Sequence, residues 1–181
     1  MLGWHFCRND KRLGFEDGRQ IRTGRTLKVK PPVILCKHGL HASKRIIDAL
    51  KYSQGHIICK VKLSGKIIHD TDKSVATERT VIAMVNGERL LHEFACDIAE
   101  KALKRANVTD KRSWNAIKVK RLWLDGKATD EELSAAYSAA YSAARYAAGY
   151  AARYAARSAA WRTQNQILTR RVNKLIKENQ K

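Results

Sequence analysis

The sequence predicts an α+β protein: an N-terminal mixed β-sheet domain with one helix, then a helical region ending in a long Ala-rich helix. Three observations carry this. β-branched runs with period-two alternation are confined to residues 1–86, apolar residues recur at helical spacing from residue 88 onward, and seven Ala pairs follow one another between Ala135 and Ala160.

Residues 19–30 read as a hairpin turning near Gly24, with Ile21, Leu27 and Val29 on one face and Arg22, Lys28 and Lys30 on the other. Pro31-Pro32 ends that strand, and Val33 to Cys36 reads as a short buried one. Ile46, Ile47 and Leu50 then share a helical face, with Ser43 expected as N-cap and Gly55 past the end.

Ile57, Cys59, Val61 and Leu63 alternate with Ile58, Lys60 and Lys62, so the next strand has an apolar side and a largely basic one. Ser64-Gly65-Lys66 reads as a turn. Ile67-Ile68 and Thr80 to Val85 read as further strands, separated by the polar stretch from His69 to Arg79.

Leu90, Leu91, Phe94, Ile98 and Leu103 predict a helix over about 88–106, and Trp114, Ile117, Arg121 and Leu124 a second ending before Asp125-Gly126. Thr129 to Glu132 has the form of a capping box and starts the last helix, expected over about 130–177. Tyr137, Tyr141, Tyr146, Tyr150 and Tyr154 sit among its Ala pairs. A four-residue repeat advances the Ala stripe by about 40° per step, so the stripe winds right-handed around the helix. Such a surface predicts self-association, or docking of partner helices, through residues 135–160. The domains are accordingly expected at 1–86 (basic α+β), 87–126 (helical connector) and 127–181 (Ala/Tyr-rich helix with a basic end).

Lys and Arg number 36 against 17 Asp and Glu, a net charge of +19, and the excess is spread over all three segments. That is more than solubility requires and predicts a polyanionic partner, DNA or RNA. Arg22, Arg25, Lys28, Lys30, Lys60 and Lys62 are the candidate phosphate contacts. Few aromatic residues accompany them, which favours sequence-tolerant backbone contact over base stacking.

No eighteen-residue apolar run is present, and the start lacks a cationic segment leading into an apolar one, so a secreted or membrane-spanning protein is not expected. Cys7, Cys36, Cys59 and Cys96 lack paired spacing and read as reduced thiols of a cytoplasmic protein. Cys36, His38 and His41 crowd into six residues but lack the two ligand pairs of a zinc site, so no metal is expected, and no cofactor. Cys36 reads as core. P-loop, dinucleotide-fold, HExxH and GxSxG motifs are missing.

Three segments carry a family resemblance: Cys36-Lys37-His38-Gly39-Leu40-His41-Ala42-Ser43, Val61-Lys62-Leu63-Ser64-Gly65-Lys66-Ile67, and Asp72-Lys73-Ser74-Val75-Ala76 running to Arg79-Thr80. They resemble the C-x-x-G-L-H-A-S, V-x-L-S-G-x-I and D-K-x-V-A-x-x-R-T motifs of DUF7666, a phage and prophage family of unknown function whose members often end in Ala-rich repeats. The resemblance implies a phage or mobile-element origin and a place in the host cytoplasm, in a larger assembly or against host defence.

Trp4-His5 on a first strand, followed by the Gly-Leu-His-Ala-Ser segment, also resembles the ADP-ribosyltransferase-like scaffold. That resemblance implies NAD held by His5 and Ser43, with Glu78 activating the acceptor. The expected function is therefore nucleic-acid binding, with an NAD-using transferase and a helix-organised assembly protein as alternatives.

Overall fold

The computed structural model describes residues 1–14, 17–141 and 159–180. Its elements are β1 (Leu2–Cys7), β2 (Thr26–Lys28), β3 (Leu40–Ala42), α1 (Ile46–Leu50), β4 (Ile57–His69), β5 (Ser74–Asn86), α2 (Glu88–Arg105), α3 (Lys111–Leu124), α4 (residues 130–141) and α5 (Ala159–Glu178). They fall into two compact units, Met1–Glu88 with Asn165–Lys181, and Arg89–Gln164.

The first unit is built on the β4–β5 hairpin. Two β-branched strands of 13 residues each pair antiparallel from Ile57↔Asn86 to His69↔Ser74. The polar stretch expected to separate strands shrinks to a turn, closed by the Asp70 N–H donating to the Lys73 carbonyl at 2.9 Å. Ser64-Gly65-Lys66 is a bulge inside β4 rather than a turn, since Ser64 pairs with Glu78 and Ile67 with Ala76. A second slip opposes Lys60 to Ala83 and Val61 to Val81, which leaves Ile82 as the extra residue on β5.

β1 pairs with the free edge of β4, while β2 and β3 share the other edge of β5, against Glu78–Thr80 and Ser74–Ala76. Ser43, one residue past β3, exchanges both backbone hydrogen bonds with Trp4, at 2.8 and 3.0 Å. The sheet thus curls until its edges meet, and every strand pair is antiparallel rather than mixed.

The bonds between Ser43 and Trp4 overturn the expected N-cap. α1 begins later, at Ile46, with Arg45 in the cap position and no side-chain cap. The 19–30 hairpin does not form either: Gln20 bridges back to Arg12, and β2 is recruited by β5. Immediately after Val33, the expected buried strand is instead a tight turn in which Ile34 and His38 exchange backbone bonds and Cys36 is exposed with φ +62°.

The concave side of the sheet holds the core of Cys7, Ile21, Leu27, Leu40, Ala42, Ile57, Cys59, Val61, Leu63, Ala76 and Val81. On the convex side one end is apolar too. Phe6, Ile58 and Val85 lie side by side in register and are buried, each worth about 1.5–3 kcal/mol. α1 packs on β1, and its Ile46 and Ile47 are buried, as are Leu168 and Val172 of α5 in the same unit. The Asn165 side-chain oxygen accepts from the Ile47 N–H at 3.4 Å.

In the second unit α2 and α3 run where the periodicity predicts. Trp114 Nε1 donates to the Val108 carbonyl at 2.8 Å, and Arg121 pairs with Asp97 and Glu100. The capping box forms as expected: Thr129 N–H donates to Glu132 Oε2 at 2.8 Å, and Glu132 N–H to Thr129 Oγ1 at 3.2 Å. α4 buries Leu133 and Ala136. The Ala pairs from Ala143 to Ala156, with Tyr146, Tyr150 and Tyr154, lie outside the described residues, as does most of the segment expected to self-associate.

Among the described residues no helix is long and apolar enough to cross a membrane.

Candidate functional site

The curled sheet directs a charged residue into its own core. In register, Arg79 of β5 lies between Leu27 of β2 and Leu63 of β4, two fully buried leucines. Arg79 itself is only 1 % exposed. Its Nη1 donates to the His41 carbonyl at 2.7 Å, but its Nε and Nη2 are buried with no hydrogen-bond partner among the described residues. Burial pulls its pKa well below the ordinary arginine value, to about 10, so the guanidinium still carries its charge at neutral pH.

Arg79 lines a cavity of about 420 Å³ on the concave side of the first unit. β1 contributes His5 and Cys7, β3 with its following residue contributes His41 and Ser43, and the turn before β3 contributes Cys36 to Gly39. Leu13, Val29, Leu40, Ala42 and Ala49 make much of the wall apolar.

The turn before β3 fixes the His41 ring. Cys36 N–H donates to His41 Nε2 at 3.1 Å, so that nitrogen is the bare acceptor of a neutral imidazole. Burial keeps the His41 pKa below its ordinary value, with the Arg79 charge acting the same way. His5 is held well below its ordinary value by burial first, then by Arg79 and His41. Both rings are therefore neutral at pH 7, and Arg79 is the buried cation of the cavity.

Around it stand less buried cations, Arg12, Lys37 and Lys73. Tyr52 donates its hydroxyl to Asp72 at 2.9 Å and carries the Lys73 ammonium 4.6 Å from its ring centroid. Asp17 is the acidic side chain of the lining, and it is engaged by Arg19 through two bonds of 2.6 and 2.7 Å. Cys7 and Cys59 touch, with sulfurs 3.8 Å apart.

Of the three residues expected to do catalysis, His5 and Ser43 meet at this cavity and Glu78 does not. Successive strand residues alternate faces, so Glu78 points away from Arg79. There it pairs with Lys28 at 2.9 Å and accepts from Ser64 Oγ at 3.0 Å.

The basic candidates share no uninterrupted cationic face. Lys28 is taken by Glu78, Lys60 is half-buried 5.8 Å from the Trp4 ring centroid, and Arg22 bonds Gln20. Arg25, Lys30 and Lys62 are exposed. The convex face is basic at one end only, because Phe6, Ile58 and Val85 occupy the other.

In the sequence reading Arg79 stands only in a family motif and has no functional role, although the periodicity carries the signal. Counting back by twos from Val81, a buried core position, lands on Arg79 rather than Glu78. Among the described residues no three metal-ligating side chains converge on a common point.

Residues 1–93 match the family model described as a domain of unknown function, DUF7666. No curated protein and no solved structure matches the chain. Because β1 to β5, α1, and the cavity they enclose all fall within those residues, and the match takes in more than half of the sequence, the chain belongs to the DUF7666 family.

Proposed function

We propose that this is a binding protein for a small anionic ligand, seated on Arg79 inside the concave cavity. The observation that carries the reading is the pair of unpartnered nitrogens, Nε and Nη2, on a fully buried guanidinium. A buried charge without a counter-ion is costly, and sequences keep one where an incoming charge completes it. The surrounding Arg12, Lys37 and Lys73 favour an anion's approach.

The test is thermal unfolding of the full chain against carboxylates, phosphate esters and sulfates. A ligand that binds only the folded state raises Tm with its concentration. At least one class should do so for the wild type and not for Arg79→Met. If no class does, or if Arg79→Met responds equally, the reading is wrong.

A second reading rests on the net charge of +19 and on the exposed Arg25, Lys30 and Lys62. It has the surface contacting nucleic-acid phosphates in a sequence-tolerant way, in the cytoplasm of a phage-infected host. Binding of duplex DNA or RNA should weaken steeply with salt, and Arg25→Glu with Lys30→Glu and Lys62→Glu should flatten that slope. An unchanged slope removes this reading.

A further inference from the structure

Resting on the cavity as the binding site, we infer that its ligand is a small organic monocarboxylate with an apolar body. The fork seats an oxyanion, and the buried charge and the apolar wall select among oxyanions.

The free nitrogens of Arg79 are Nε and Nη2, the two that share one side of the guanidinium plane. Their N–H bonds run nearly parallel and match the two oxygens of a carboxylate. Nη1 is committed to the His41 carbonyl, which fixes the plane of the fork before any ligand arrives.

The charge inside the cavity sets the second condition. His41 is neutral because its Nε2 accepts from Cys36, and His5 is neutral beside Arg79. Asp17 is cancelled by Arg19. Among the described lining residues Arg79 is the one buried cation, while Arg12 and Lys37 are exposed and Lys73 is half-buried. A phosphate monoester, largely dianionic at neutral pH, would bring a second charge that only those solvent-screened cations could answer, whereas a monocarboxylate is matched by Arg79 alone.

The remaining wall sets the third. Leu13, Val29, Leu40, Ala42 and Ala49 offer apolar surface to the body of the ligand, and about 420 Å³ lies in the range of small-molecule sites.

The experiment is calorimetric titration of the full chain with hexanoate, benzoate and phenyl phosphate at pH 7.5. A carboxylate should bind at least tenfold more tightly than phenyl phosphate. Arg79→Lys, which keeps the charge but loses the fork, should weaken that binding at least tenfold. In the wild type, the Arg79 Nε–H resonance should move on adding the carboxylate, a readout that does not depend on any variant folding. Phenyl phosphate binding as tightly or more tightly, with the same Arg79 shift, overturns the carboxylate assignment and leaves the anion cavity standing. No binding by any probe, or binding that leaves the Arg79 resonance unmoved, overturns both.

Discussion

The Nη1 group of Arg79 reaches the carbonyl of His41 at 2.7 Å, across the join between β5 and β3. His41 pairs with Val75 through the ladder, so the side chain of Arg79 adds a second tie between strands already in register. One bond of the guanidinium is structural, and its Nε and Nη2 edge is buried and unpaired among the described residues.

Removing the charge should stabilise the empty protein. A pKa of about 10, well below the ordinary arginine value, means that the folded state holds this proton less tightly than the unfolded chain, so at neutral pH the buried charge costs the fold on the order of 3 kcal/mol. Arg79→Met fills similar volume without that cost, losing one hydrogen bond worth about 1 kcal/mol. We expect the variant to unfold at higher denaturant concentration than the wild type, by about 1–2 kcal/mol, while losing anion binding. A clear destabilisation in urea titrations would make Arg79 a structural residue.

How much of this could be read from the sequence depended on which residues keep to a regular period. Ile57 to Leu63 alternate cleanly, and their strand and its concave face were legible. Ile82 and the Gly65 bulge each shift the count by one, and that is where the expected elements fail: the regular period divides β4 in two and shortens β5. β2 and β3 have three residues each and owe their conformation to the edge of β5, which no local pattern reveals. The resemblance that points to His5 and Ser43 names two residues that both line the cavity, whereas the Glu78 it points to faces away and its neighbour Arg79 lines the cavity instead.

The neutral histidines make stability fall in mild acid. His5 and His41 both titrate below their ordinary 6.5 in the folded protein. As pH falls through 6.5 the unfolded chain takes up protons that the folded one does not, so stability is complete above that pH and declines below it, until the folded rings protonate. Each ring contributes up to about 1.4 kcal/mol per pH unit in that window. Urea unfolding between about pH 7.5 and pH 5 should show the decline, and His5→Gln should make it shallower. A His5→Gln profile parallel to the wild type would show that the ring is free to charge.

Cys7 and Cys59 should differ sharply in reactivity although their sulfurs touch. Either sulfur can donate in this contact; with Cys59 donating, the bond lowers the Cys7 pKa, an effect Arg79 reinforces, while the same bond and burial push Cys59 up. Cys7 also lines the cavity. A small alkylating reagent at rising pH should therefore modify Cys7 before Cys59, with the exposed Cys36 as an internal standard. Peptide mapping by mass spectrometry reads the order, and a saturating anion should slow Cys7, which is buried, more than the exposed Cys36. Modification of Cys59 first would invert the assigned direction of the hydrogen bond.

The turn that holds His41 depends on Gly39. Its φ of +127° is a conformation that side chains with a Cβ rarely adopt, and a Cβ there would lie 2.3 Å from Val75 Cγ2 and 3.1 Å from Val33 Cγ1. Both valines are buried, so neither can swing aside into solvent. Gly39→Ala must move the 36–41 segment, which breaks the bond from Cys36 to His41 Nε2 and displaces the carbonyl that orients Arg79. Gly24 provides the control, because it also has positive φ, at +80°, yet a Cβ there meets nothing within 4 Å. Gly24→Ala should cost about 1 kcal/mol from backbone strain alone and leave anion binding unchanged. Gly39→Ala should cost about 2 kcal/mol or more and weaken anion binding at least tenfold under conditions where the variant remains folded. Urea unfolding and calorimetry on the two variants make the comparison, and equal binding by both would mean that the turn before β3 does not shape the site.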